Sequence, residues 1–309
     1  MNIYVYNYFY CNMDNTNELI GRYRAEYIPQ KPGMQGIWEM VESAARTCYK
    51  SEGRTEYDEA GNSITAKGFA DKILNIYKHR SVAEHAAVYL LASTDKVHLV
   101  KKYLANPYTK VHLEDGRAYV STNYRVILDN HWKDDLKYMV SPYPEHERRY
   151  TVRVFTDRGT SAEINRHRCG SFSERSTRYV DYSNSKHNIK VMPCTSAYDG
   201  LPTRSFEDRC RDIYKHTDLV WSPLEYWLFA NEMSAYCYNA LRKRRWPAEH
   251  ARSILPLDLE TEEVITMFDS DWDGFFRLRL LGESGQPHPC MKQTAKLIYD
   301  ALAPARNLK

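Results

Sequence analysis

The chain has 309 residues, 43% hydrophobic and 27% charged, enough apolar content for a sizeable core in one large domain or two ordinary ones. The net charge of +3 excludes the pervasive basic surface of a dedicated nucleic-acid binder, so anion recognition must rest on local clusters. No run approaches the roughly 18–20 apolar residues of a membrane span, and seven widely spaced cysteines without a C-x-x-C pair argue against a disulfide framework and for a reducing, cytoplasmic setting.

The opening MNIYVYNYFYCNMDN lacks a basic leader and a clean apolar stretch, so it does not read as a signal peptide. Its Tyr/Ile/Val alternation is strand-like. KPGMQG breaks structure, and after it Ile37, Met40, Val41, Ala44, Ala45 and Cys48 share one face at helical spacing. Residues 51–67 read as a loop. GFADKILNIYKH resumes a helix with Phe69, Ile73, Leu74 and Tyr77 inward, and VYLLAS reads as a buried strand. In 94–148, HLVKKYLANPY suggests a short helix and AYVSTNYRVIL a hairpin element or a helix start; the whole section looks like an insertion.

YTVRVFTD alternates as a strand, and TSAEINRHR begins with Thr160 and Ser161 as candidate caps. Residues 180–204 are mostly loop. The longest helical patterns follow, broken near Pro223, and Pro247 fits the first turn of another helix. EEVITMF is strand-like; DWDGFFRLRLL and CMKQTAKLIYDALA are helical. Helices and strands mix without a β-α-β rhythm, which predicts an α+β fold.

The chemistry concentrates in RHRCGSFSERSTRY, Arg166 to Tyr179. On a helix, Arg166, His167 and Arg168 would spread over about 200° of surface; ending a helix, they could converge with the amides and hydroxyls that follow. Guanidinium forks match phosphate oxygens in pairs, and serine hydroxyls complete an anion cradle. Glu174 adds nothing to a phosphate pocket, but it suits a ribose hydroxyl or a ring N–H. Together these residues suggest a nucleotide. The plainer alternative is a surface helix end with solvated arginines.

Arg166-His167-Arg168, seven residues, then Ser176 and the ending Arg178-Tyr179 resemble the R-H-R-x7-S motif of the flavin-dependent thymidylate synthases, the ThyX family. Further segments agree in order: AARTCY (Ala44–Tyr49), HRSVAEH (His79–His85), ARSILPL (Ala251–Leu257) and FFRLR (Phe275–Arg279). The likeness covers roughly 37–93 and 150–303, leaving 1–30 as an extension and about 95–148 as an insertion within a single catalytic domain, 1–309. It implies a ThyX-like fold, with a central antiparallel or mixed sheet, long helices and active sites built at subunit interfaces of a homotetramer.

The activity implied is methylation of dUMP to dTMP, with methylenetetrahydrofolate as carbon donor, FAD as redox carrier and NADPH as reductant. No metal, nucleic acid or membrane partner is implied. By the same resemblance, His79, Ser81, Glu84, Arg166, His167, Arg168, Glu174, Gly274 and His288 belong to the flavin site. Glu163, Arg166, Glu174, Arg175, Ser176, Thr177, Arg178, Arg252 and Arg279 belong to the dUMP site, with Ser176 and Arg178 on the phosphate. Arg279, Arg166, Glu174 and Ser176 carry catalysis, Arg279 by favouring loss of the uracil N3 proton. Without the resemblance, His79 and His85 would read as helix-end caps, Arg279 as an amphipathic-helix arginine and Cys169 as packing.

Departures from the family pattern fall at Glu163, where many members have Gln; at Phe268 to Ser270, where Asn and Arg are frequent; and at Gly274, where Asn is frequent. An ionised Glu163 cannot donate to a uracil carbonyl, so it is expected to orient Arg166 or His167. Two other readings stay open: a flavin- or nucleotide-binding relative without this activity, and a single-strand binder using LRKRRW and the 25 tyrosines.

Overall fold

The computed structural model describes residues 19–51, 53, 55, 57, 63–184, 188–194 and 204–306. The strand expected near the N-terminus lies outside them, as does most of the loop after Ser51. In chain order the elements are β1 (Arg24–Ile28), α1 (Gly33–Tyr49), α2 (Ala66–Asp71), β2 (Ala87–Ser93), α3 (Val97–Leu104), β3 (Lys110–Glu114), β4 (Arg117–Asn123) and α4 (Tyr124–Asp129). Then come β5 (Arg149–Asp157), α5 (Arg158–Ile164), β6 (Ser171–Glu174), α6 (Phe206–Lys215), α7 (Pro223–Lys243), α8 (Ala248–Ala251), β7 (Glu260–Phe268), α9 (Asp269–Phe276) and α10 (Pro289–Arg306).

Two compact units result. A sheet unit takes Arg24–Phe155, Ala162–Arg175 and the described part of Glu262–Lys309; a helical unit takes Thr156–Ser161, Ser176–Thr261 and the described part of Met1–Tyr23.

The sheet unit carries two sheets, ordered β1-β5-β7-β6 and β2-β4-β3. The pairs β1–β5, β6–β7, β2–β4 and β3–β4 are antiparallel, which makes the fold α+β as expected. Helix α1 opens at Gly33, whose positive φ of 76° favours glycine, so KPGMQG is the helix start rather than a break before it. Its apolar stripe Ile37, Met40, Val41, Ala44 and Ala45 is buried, with Cys48 half-buried beside it. Phe69, Ile73 and Leu74 are inward too, but Tyr77 is 51% exposed. A π-helical turn at Lys72–Ile76 widens the spiral and carries Tyr77 off the buried face.

The section 95–148 contributes to the core. AYVSTNYRVIL is both strand and helix: β4 is buried from Ala118 to Asn123 and pairs with β2 along its whole length, and α4 follows directly. Asp115 and Gly116, both at positive φ (46° and 73°), close the β3–β4 hairpin. That is the Asp-Gly signature of a tight two-residue turn. Beside the other sheet, Met291, Ala295, Ile298 and Leu302 of α10 pack with Val152, Val154, Ile265 and Met267 and with the aromatics of α9.

In the helical unit, Pro223 begins α7, where a missing N–H costs nothing, and Ser222 with Glu225 forms a capping box. Pro247 sits just before α8 as its N-cap. Val180, Tyr182, Ala235, Tyr238, Ala251 and Leu259 form this unit's core. Among the described residues no helix is long and apolar enough to cross a membrane.

Candidate functional site

The R-H-R segment is positioned by how α5 starts and stops. Asp157, at the end of β5, accepts from the Thr160 N–H and hydroxyl, both at 2.6 Å, and from the Tyr23 hydroxyl at 3.0 Å. The helix is therefore capped by Asp157 rather than by Thr160 or Ser161, because a carboxylate outcompetes a hydroxyl for the first amides. After Ile164 the chain tightens: the Arg166 and His167 N–H groups bond the Glu163 and Ile164 carbonyls at 3.2 and 3.0 Å, and the Gly170 N–H bonds the His167 carbonyl at 2.9 Å. A Cβ at Gly170 would meet the ends of the Phe172 and Met267 side chains at 2.5 and 2.7 Å, so a larger residue in this turn would have to displace both.

Placed on a turn, the three side chains part company. Arg166 and Arg168 are exposed, and among the described residues neither carries a side-chain hydrogen bond or ion pair. His167 turns inward against the edge of Phe275, ring centroids 4.8 Å apart. Its Nε2 accepts from Arg279 Nε at 3.0 Å, which assigns the proton to Nδ1. Burial, and then the Arg279 charge, pull its pKa down to about 4. At neutral pH His167 is therefore a neutral acceptor, not a third cation. Cys169 is exposed rather than packed.

Arg279 reaches this point from a π-helical turn, Arg277–Leu281, that follows α9 and ends at Gly282 with φ 74°. Its Nη1 donates to Glu163 Oε2 at 3.0 Å and its Nη2 to the Glu163 carbonyl at 3.2 Å. Glu163 thus orients Arg279, instead of Arg166 or His167, because the guanidinium fork lies across the exposed carbonyl end of α5. Three of the five guanidinium N–H groups are engaged; one on each Nη remains.

Strand β6 alternates. Ser171 and Ser173 are buried, Phe172 and Glu174 half-buried, and Glu174 lies opposite Glu263 of β7. The next residue, Arg175, is 3% exposed. Its Nη2 donates to Glu262 Oε2 at 2.8 Å and its N–H to the Glu262 carbonyl at 2.8 Å. The structure therefore gives the Arg175 charge an internal counter-ion.

Ser81 and Glu84, expected at a flavin site, lie on a short 3₁₀ helix, Arg80–Glu84. His79 precedes it, after Lys78 at φ 57°; its ring stacks on Tyr49 at 5.8 Å and 8°, and its Nδ1 lies 2.5 Å from the Tyr49 hydroxyl. Ser81 is exposed. Glu84 pairs with Arg125, which also binds Asp129, itself held by Arg80. Gly274, on α9, has open space where a side chain would stand. His288 is exposed, and its Nδ1 accepts from the Cys290 N–H at 3.3 Å at the start of α10.

The helical unit holds the remaining residues. Ser176 Oγ accepts from the Arg178 N–H at 3.2 Å. Arg252 Nη1 donates to Thr177 Oγ1 at 3.2 Å, and Arg178 lies 3.7 Å from Glu249 with both side chains exposed. Two arginines and two hydroxyls thus face one short loop and the 3₁₀ turn Arg252–Ile254.

Arg149 was not singled out by the sequence, and His85 only as a helix-end cap. His85 is no helix-end cap: it is 1% exposed and bonded at both ring nitrogens. The flanking Val82-Ala83 and Ala86-Ala87 were the available signal for burial. Burial, and then Arg149, lower its pKa from 6.5 to about 3. The sign is fixed: below 6.5 the unfolded chain binds this proton and the folded chain does not. Stability should therefore fall as pH drops from 6.5 toward 3, by about 1.4 kcal/mol per unit from this group. Urea melts across that window, with a flatter profile for His85→Gln, check it; identical profiles would refute it.

A family model for the thymidylate synthase complementing proteins matches residues 141–305, just over half of the chain. Comparison with curated proteins finds no match. Among solved structures, the flavin-dependent thymidylate synthase ThyX from Helicobacter pylori, complexed with FAD and dUMP, is 16% identical at a TM-score of 0.39, covering 92% of this chain and 97% of that one. The UMP/dUMP methylase PolB from Streptomyces cacaoi, bound with 5-Br dUMP, is 14% identical at a TM-score of 0.39, covering 92% of each chain. These two alignments place no residue of this chain.

Proposed function

The chain belongs to the thymidylate synthase complementing protein family, and on that premise we propose that it is a flavin-dependent thymidylate synthase, methylating dUMP to dTMP with methylenetetrahydrofolate and NADPH. The observation that carries the reading is the R-H-R turn inside the matched region: two exposed arginines that, among the described residues, carry no side-chain bond, beside a third held at a fixed angle.

Exposed, unengaged cations fit the pyrophosphate of FAD, so Arg166 and Arg168 would hold it, with His79, Ser81, Glu84, His167, Gly274 and His288 on the flavin side. When bound, FAD supplies the hydride chemistry that the side chains cannot. Arg279 faces the uracil edge with its two remaining N–H groups. A fixed cation there lowers the cost of the anion left when N3 loses its proton, which makes C5 nucleophilic. Glu174 accepts from ring or ribose donors, Arg166 adds positive charge near the pyrimidine, and Glu163 and Arg175 act through the residues they hold. In the helical unit, Ser176, Thr177, Arg178 and Arg252 take the nucleotide phosphate. The Ser176 hydroxyl accepts a backbone N–H in the manner of a turn, which supports binding over nucleophilic attack. The working form is a cytoplasmic homotetramer.

Ser176→Ala is expected to weaken dUMP binding by about 10–100-fold, the cost of one hydrogen bond to a charged group, while activity at saturating dUMP persists. Total loss of activity with normal dUMP affinity would restore the serine as a nucleophile. The primary test is NADPH oxidation by FAD-loaded protein with and without dUMP, then dTMP detection after methylenetetrahydrofolate is added. Stimulated oxidation with dTMP formed is expected. A yellow protein that forms no dTMP would mean a flavin-binding relative with other chemistry.

A further inference from the structure

The hydroxyls of β6 do not face a ligand. Ser173 Oγ lies 2.9 Å from His85 Nε2, whose Nδ1 lies 2.9 Å from Thr266 Oγ1 on β7; Thr266 in turn contacts Thr151 Oγ1 on β5 at 2.7 Å. The same strand is tied a second time. Arg149 Nη2 donates to Ser171 Oγ at 3.3 Å, and its Nη1 donates to the Glu84 carbonyl at 2.7 Å. That carbonyl ends the 3₁₀ helix, where the last carbonyls have no intrahelical donor. The Arg149 N–H is itself fixed, bonding the Tyr89 hydroxyl at 2.9 Å.

We propose that His85 and Arg149 are positioning residues for the thymidylate synthase reaction: together they lock the segment carrying His79, Ser81 and Glu84 to the strand carrying Glu174. The two ties meet β6 at Ser171 and Ser173, residues i and i+2 on its buried face, so Phe172 and Glu174 are turned the other way. A five-residue 3₁₀ helix has poor internal hydrogen-bond geometry. Its register against β6 therefore comes from side chains. A neutral imidazole can donate to one hydroxyl and accept from the other, which a carboxamide of different reach or a methyl group cannot reproduce.

The inference rests on the proposed activity, so its test reads more than turnover. In the full chain, His85→Ala, Ser173→Ala and the double variant are compared for FAD affinity, the dUMP-induced change in flavin absorbance, kcat and KM for dTMP formation, and melting temperature. A displacement on the order of 1 Å costs up to about 100-fold in rate. Each single variant should lose about 10–100-fold in kcat and blunt the dUMP-induced spectral change, with the double no worse than the worse single, since all break one link. Ser173→Ala removes one oxygen and keeps the test available where His85→Ala does not fold. Lower melting temperatures with unchanged kcat and an unchanged spectral response would reduce both residues to packing and overturn the proposal, as would fully additive losses. If the unmodified protein forms no dTMP, the activity fails, and the spectral response still decides whether the two segments are coupled.

Discussion

Arg279→Ala is expected to lower the rate of dTMP formation by about 10²–10³-fold, the usual cost of deleting one preorganised donor to a developing anion, while flavin absorbance stays largely intact. The expectation follows from what surrounds the guanidinium. Its side chain is 18% exposed, and three acceptors hold it: the Glu163 carboxylate, the Glu163 carbonyl and the His167 imidazole. Such a cation needs no reorganisation when charge develops on the pyrimidine, and partial burial makes each remaining N–H worth more than it would be in water. Lysine would keep the charge but not the fork, so it could not satisfy Glu163 and His167 while facing a ligand. Removing the cation also removes one of the two influences that hold the His167 pKa near 4, so that pKa should rise in the variant. Steady-state kinetics and a pH titration of the His167 ring by NMR read both effects. Loss of bound FAD with unchanged methylation would contradict the assignment to Arg279.

The sequence brought out the candidate residues because their chemistry lies in short linear motifs. R-H-R-x7-S, H-R-S-V-A-E-H and F-F-R-L-R each name their own members. What it did not convey is which of those side chains meet. Glu163 and Arg279 are 116 positions apart, and the π-helical turn that aims Arg279 breaks the period on which a helical reading of F-F-R-L-R relies. A similar turn carried Tyr77 outward. The ion pair of Arg175 was hidden because Glu262 sits on β7, which pairs with β6 only in the folded chain. His85 read as a helix-end cap and Arg149 went unnoticed because their partners, hydroxyls of β6 and β7 and the Glu84 carbonyl, sit on other elements. The region 95–148 was different: its Asp-Gly pair was a readable hairpin signal, and the alternation in AYVSTN was a strand awaiting β2. Polarity at its loops outweighed those cues, so its strands and its place in the core were not assigned. The fold class survived these misreadings because it depends on the missing β-α-β rhythm and not on any one register.

The largest effect on stability is expected at Glu232→Ala, about 3–5 kcal/mol, or roughly 6–20 °C in melting temperature. Arg209 and Glu232, on α6 and α7, are 0% and 4% exposed, and Arg209 Nη2 lies 2.6 Å from both carboxylate oxygens. The Arg209 Nη1 bonds the Arg204 carbonyl, so the guanidinium is anchored to the chain just before α6 and cannot swing to water. Burial raises the Glu232 pKa in spite of the arginine, which says that desolvation outweighs the pair's attraction. The pair is therefore costly to form and costlier to break: truncating the carboxylate leaves a charge in the interior with no counter-ion. Replacing both residues with apolar side chains of similar volume, as in the double variant R209M/E232L, should recover much of the loss. A Glu232→Ala protein as stable as the unmodified chain would show the site to be hydrated. On the proposed role of Arg252 in dUMP binding the consequence extends to the substrate, because the Ser234 hydroxyl, two positions from Glu232 on α7, donates to the Ile254 carbonyl at 2.6 Å and so holds the turn that carries Arg252. Loosening α7 should thus weaken dUMP binding at temperatures where the protein is still folded, and the dUMP dissociation constant should rise ahead of the melting transition.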